Sequence, residues 1–120
     1  MEKLKFGFYW AASCGGCEIA VLDVDEKILE VMQIADIVFW PVAMDVKYKD
    51  VEAMQDGYID VCFFNGGVRN SEQEHLAKLL RRKAKYMVAF GACAQLGGVP
   101  LLSPRARRCR CLPRLASLSC

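Results

Sequence analysis

Apolar and polar positions along the chain fall into two alternating rhythms. Leu4 to Trp10 (LKFGFYW) is short, aromatic-rich and apolar, the pattern of a strand covered on both faces. From Glu18 to Ala35 the apolar residues Val21, Val24, Ile28, Val31, Met32 and Ala35 recur at helical spacing. Asp25, Glu26, Glu30 and Gln33 lie on the opposite side, which predicts one amphipathic helix packed on a sheet. Ile37 to Pro41, Tyr58 to Phe64 and Tyr86 to Phe90 read as three further strands, and Lys49 to Asp56 as a short helix. Between the last two strands, Ser71 and Glu74 form a capping-box pattern ahead of Leu76, Leu79 and Leu80. Arg81, Arg82 and Lys83 follow where a helix C-terminus favours cations. Strands alternating with helices predict a parallel sheet with right-handed crossovers, hence an α/β, flavodoxin-like doubly wound domain.

Composition sharpens this reading at two points. With 120 residues, 54% of them apolar, the chain suits one small domain with a real core. No apolar run reaches the roughly 18 residues of a membrane span, and MEKLKFGFYW has no signal-peptide pattern, so a soluble, cytoplasmic protein is expected. The formal net charge of +2 hides a split: residues 1–102 carry 11 Lys and Arg against 14 Asp and Glu, whereas residues 103–120 carry five Arg and no acid. Residues 101–120 (LLSPRARRCRCLPRLASLSC) use only Leu, Ser, Pro, Arg, Ala and Cys. Such a set is what a GC-rich gene read out of frame, or a truncated gene, would yield. Residues 1–100 are therefore expected to form the domain and 101–120 an atypical, disordered tail. Arginines without aromatic interleaving give little reason to expect nucleic-acid binding.

Seven cysteines, an odd number, point in a reducing compartment to metal binding or thiol chemistry rather than to a disulfide framework. Cys14 and Cys17 (SCGGCE) fall in the turn after the first strand, and Cys93 (GACAQLGGVP) in the turn after the fourth. Those turns lie at the carboxyl ends of parallel strands, where open α/β sheets bind ligands. Helix N-termini and free backbone N–H groups there favour thiolates. Gly15, Gly16 and Gly91 allow close backbone approach to an inorganic group. Three soft ligands suit an iron–sulfur cluster or zinc. Cys14-x-x-Cys17 opening a helix is also the thioredoxin arrangement, in which one low-pKa thiolate attacks a disulfide. Cys62, mid-strand in IDVCFF, reads as a buried structural thiol, and His75 as a helix-surface residue.

SCGGCE, ADIVFWPVAMD, FFNGGV and GACAQLGGVP together resemble the small subunit of nickel-iron hydrogenases and the related 20 kDa subunit of respiratory NADH:ubiquinone oxidoreductase. The likeness covers about residues 4–100 and is nearest to the small (gamma) subunits of methyl-viologen-reducing hydrogenases that work with heterodisulfide reductase. It implies a flavodoxin-like domain carrying a proximal 4Fe-4S cluster beside a large subunit that holds the nickel-iron site. Matched onto the motif, Cys14, Cys17 and Cys93 would be three ligands, and Glu18 a possible proton or quinone contact. The family's fourth ligand lies in a Gly-Cys-Pro-Pro segment that this sequence lacks, leaving Cys109, Cys111 and Cys120 as candidates. The resemblance implies hydrogen chemistry in the partner and electron transfer through this chain, toward heterodisulfide reductase or a ferredoxin-like carrier. A respiratory-type 20 kDa subunit and a thioredoxin-like thiol–disulfide protein are the alternatives. Trp10, Trp40 and Leu96 are expected to be exposed around a partner interface near Cys14, Gly16, Gly66 and Cys93.

Overall fold

A computed structural model describes residues 2–98. The expectations for residues 101–120, including Cys109, Cys111 and Cys120, fall outside the described residues.

The first apolar run forms β1 (Leu4–Trp10), and the chain continues through α1 (Gly16–Leu22), α2 (Lys27–Ile34) and β2 (Ala35–Phe39). It then forms α3 (Tyr48–Ala53), β3 (Ile59–Asn65), α4 (Ser71–Lys83), β4 (Ala84–Phe90) and α5 (Ala92–Gln95). The four strands make one sheet in the order β2-β1-β3-β4, every pairing parallel. This is the strand order of the flavodoxin-like doubly wound type, whose switch point lies between β1 and β3.

Alternate residues of the central strands face opposite layers. Tyr9 and Phe64 pack with Phe39 on one face, where Val51 of α3 and Leu76, Leu79 and Leu80 of α4 complete the core. Burying each of those leucines stabilises the fold by about 1.5–3 kcal/mol relative to exposure. Burial, followed by the neighbouring Tyr48 and Glu72, holds the Tyr9 hydroxyl neutral by raising its pKa. Phe8 occupies the other face, between Trp40 and Phe63. The buried Lys83 ties α4 to the α3–β3 connection by donating to the Met54 carbonyl at 2.6 Å and to Asp56 at 2.9 Å.

Three local expectations need correction. The helix predicted over Glu18–Ala35 is two helices, broken where Asp25 adopts a left-handed φ of 53°, a conformation that Asp tolerates better than most residues. Across that break, Val21, Ile28 and Val31 stay half-buried, Val24 and Met32 are exposed, and Ala35 opens β2, so that strand begins two residues early and ends before Trp40. Helix α4 is capped by Asn70 rather than Ser71: Asn70 accepts from the Gln73 amide at 2.8 Å, and Gln73 accepts from the Arg69 amide at 2.8 Å.

Candidate functional site

The carboxyl ends of β1, β3 and β4 lie side by side, with Asn65 in register with Trp10 on one side and Phe90 on the other. The turn after β1 is pinned to the turn after β3. Ala11 N–H donates to the Asn65 carbonyl at 2.8 Å, and Ala12 and Gly67 exchange two backbone hydrogen bonds of 3.0 and 2.9 Å. A side chain at Gly66 would begin 3.0 Å from the backbone of Ala11 and Ala12, so only glycine lets the two turns meet this closely.

That pinning delivers Cys14, exposed, and Cys17, half-buried in the first turn of α1. Cys93, also half-buried, sits in α5. The turns after β1 and β4 meet as well: a Cβ built on Gly91 would fall on the Cys17 sulfur, and one on Gly98 would lie 3.0 Å from the Cys93 sulfur. Both sulfurs therefore rest against backbone. No three His, Cys, Asp or Glu among the described residues are disposed to hold a single metal ion.

Directly after Cys17, Glu18 is 4% exposed and accepts a hydrogen bond from the Trp40 indole N–H. Burial raises its pKa, while the Trp40 bond and the adjacent Asn65 amide oppose the rise. Asn65 nonetheless makes no hydrogen bond of ordinary geometry: its side chain is 1% exposed, and neither its amide nitrogen nor its oxygen has a partner among the described residues. A buried amide left unpaired costs about 1–3 kcal/mol.

The expected exposed apolar rim is present at Trp10 (38% exposed) and Leu96 (74%). Trp40 departs from expectation: it is 3% exposed, packed at a tilt against Phe8 with ring centroids 4.7 Å apart and bonded to Glu18. Asn65 is the site residue that sequence reasoning missed. The available signal was a polar residue closing an otherwise apolar strand at the ligand-binding edge of the sheet, but Asn-Gly-Gly reads first as a turn.

Cys62 lies in β3 between Gly7 and Met87, wholly buried, and burial pushes its thiol up to about 12. At pH 8 roughly one such thiol in ten thousand is ionised. Among the described cysteines, iodoacetamide is expected to label Cys14 first, then Cys17 and Cys93, and to spare Cys62 until the protein unfolds. Peptide mass mapping over time measures this, and labelling of Cys62 at the rate of Cys14 would contradict its place in the central strand.

Residues 14–116 match the family described as NADH ubiquinone oxidoreductase, 20 Kd subunit. Over 98 residues, 81% of this chain and 30% of the relative, the chain is 51% identical to the iron-sulfur subunit of the F420-non-reducing hydrogenase of Archaeoglobus profundus. It is 41% identical to the corresponding F420-non-reducing hydrogenase subunit of Methanothermobacter thermautotrophicus over 99 residues, 82% of this chain and 30% of that protein. The chain thus spans about 30% of the length of these relatives. Among solved structures, a chain of an NAD+-reducing NiFe hydrogenase in the H2-reduced state superposes with a TM-score of 0.69 at 27% identity, covering 82% of this chain and 51% of that one. The sheet, its strand order and the span of the match agree, and the chain belongs to the NADH:ubiquinone oxidoreductase 20 kDa subunit family.

Proposed function

We propose that this chain is the electron-transfer subunit of a nickel-iron hydrogenase complex, with Cys14, Cys17 and Cys93 as three ligands of a 4Fe-4S cluster close to the large subunit. One observation carries the reading: the cysteine-bearing turns after β1 and β4 meet around the end of β3, with two sulfurs set against glycine backbone. Such a cradle suits a group bulkier than one ion. Cluster ligands attach to separate irons, so they need not converge on a single point as ligands of one metal ion must. Thiolates are the donor set of iron–sulfur clusters, and the unpaired Asn65 amide supplies a buried polar group beside them. Bound there, the cluster would supply one-electron storage.

The chain's own residues set the surroundings. Trp40 and Glu18 close the side of the turn facing β2, and the aromatic residues Phe8 and Phe63 fill the layer beneath. Contact with a quinone would require an accessible Glu18 carboxyl, and here that group is buried; a role in holding a proton is compatible with burial. A hydrogenase rather than a respiratory partner is favoured because the relatives at 41–51% identity are named as hydrogenase subunits. Heterodisulfide reductase or a ferredoxin-like carrier would take the electrons. A cytoplasmic location belongs to the same reading; no helix among the described residues is long and apolar enough to cross a membrane.

Trp10, Ile19 and Leu96 are exposed beside the cysteine turns and would be covered by the large subunit. Co-expression with a nickel-iron large subunit is expected to raise the soluble yield several-fold and to give a complex that co-elutes in size exclusion. A colourless monomer that ignores the large subunit and reduces disulfides with one reactive cysteine would replace this reading with the thioredoxin-like one.

A further inference from the structure

We propose that the Asn65 side-chain amide donates a hydrogen bond to sulfur of the cysteine-liganded group, orienting it and raising its reduction potential. The inference rests on the iron–sulfur reading of the three cysteines. Asn65 ends β3 between Trp10 and Phe90, midway between the turn that carries Cys14 and Cys17 and the turn that carries Cys93. Its amide oxygen lies 3.8 Å from the point at which a Gly91 side chain would begin, a point that the Cys17 sulfur also crowds. The amide thus lies beside Gly91 and next to the Glu18 carboxyl, almost wholly buried, with neither donor nor acceptor in a hydrogen bond of ordinary geometry among the described residues. Buried polar groups in native proteins are nearly always paired, and one that is not needs a reason.

A sulfur-rich anionic group seated between the two turns supplies that reason. It offers acceptors and no donors, which fits the two N–H bonds of an amide nitrogen. Hydrogen bonds to ligand or bridging sulfur favour the more negatively charged, reduced state, so they raise the potential. Asn65 acts here as a positioning residue: it meets the sulfur and does no chemistry of its own. A purely structural Asn65, by contrast, would stabilise the iron-free fold as much as the loaded one.

That contrast defines the experiment. The full chain, as wild type and as Asn65→Leu, is reconstituted anaerobically with iron and sulfide, and the midpoint potential is followed by EPR-monitored titration. The iron-free forms are unfolded in urea alongside. Leucine, of similar size, removes an unpaired polar group, so iron-free Asn65→Leu is expected to unfold at the same or higher urea concentration. The loaded variant is expected to show a lower midpoint potential at equal iron content. An unchanged potential at equal loading overturns the proposal, as does clear destabilisation of the iron-free variant. Should Asn65→Leu take up no iron, the wild type decides by itself. The sequence holds two asparagines, Asn65 and Asn70, and Asn70 caps α4 by accepting from Gln73. In chain labelled with 15N-asparagine, the half-integer-spin state of the bound cluster, oxidised for three irons and reduced for four, is expected to show a 15N coupling by pulsed EPR, and its absence overturns the assignment. Wild type that binds no iron overturns the iron–sulfur reading itself, and this inference with it.

Discussion

Replacing Cys14, Cys17 or Cys93 with alanine is expected to abolish stable iron and sulfide uptake, whereas Cys62→Ala leaves uptake nearly unchanged. The difference follows from position. The first three thiols stand on turns at the carboxyl edge of the sheet, open to an incoming group; Cys62 is sealed in the middle of β3. Each edge substitution takes one of only three described thiolates from a group that normally has four cysteine ligands. Two thiolates hold a cluster far less well than three, so the loss should be near complete. For the same reason, the unsubstituted 120-residue chain is expected to load a labile three-iron or substoichiometric cluster. Iron and acid-labile sulfide per chain, with the EPR spectrum of the oxidised and reduced forms, measure both statements. Full iron retention in Cys17→Ala would remove the proposed ligand set. A stable four-iron cluster that depends on Cys109 or Cys111 would instead place the fourth ligand within residues 101–120.

The strands were readable because their signal is local. LKFGFYW is an uninterrupted apolar run, and its predicted ends are those of β1. Helical periodicity failed where it had to: Val21, Val24 and Ile28 keep step on either side of Asp25, and a pattern counted by spacing does not register one left-handed residue between two helices. The cap of α4 moved by one residue because Asn70 and Ser71 are both good caps, and the choice was made by the Gln73 contacts to Arg69 and Asn70. At the site, the carboxyl-edge placement of the three cysteines followed from counting strands and turns, although Cys17 and Cys93 stand in the first turns of α1 and α5 rather than in the turns before them. The burial of Trp40 and Asn65 did not, because it depends on separate turns meeting. Trp40 is covered by Phe8 and Glu18, 32 and 22 positions earlier in the sequence, and Asn65 by the arrival of Gly91 beside Cys17. Such long-range closures are where a buried polar group is either satisfied or left waiting for a ligand.

Gly91→Ala is expected to damage both the fold and iron loading. Gly91 has φ 86° and ψ 166°, a region open essentially to glycine alone, and forcing another residue into it costs about 1–3 kcal/mol. The added methyl would also fall on the Cys17 sulfur, and an overpacked contact of that kind costs a further 1–3 kcal/mol or so unless the thiol moves. If the thiol moves, the turns after β1 and β4 separate and the cradle is lost. Gly57→Ala provides the control. Gly57 also has a positive φ, 76°, but its nearest neighbour would be the flexible Lys85 side chain at 3.8 Å, next to the amino end of β3. Both variants should therefore unfold at lower urea concentration, whereas only Gly91→Ala should lose most of its iron. Measuring the unfolding midpoint and iron per chain on the same preparations separates backbone strain from displacement of the sulfur. Equal loading of the two variants would mean that Cys17 and Gly91 do not meet at the proposed cluster site.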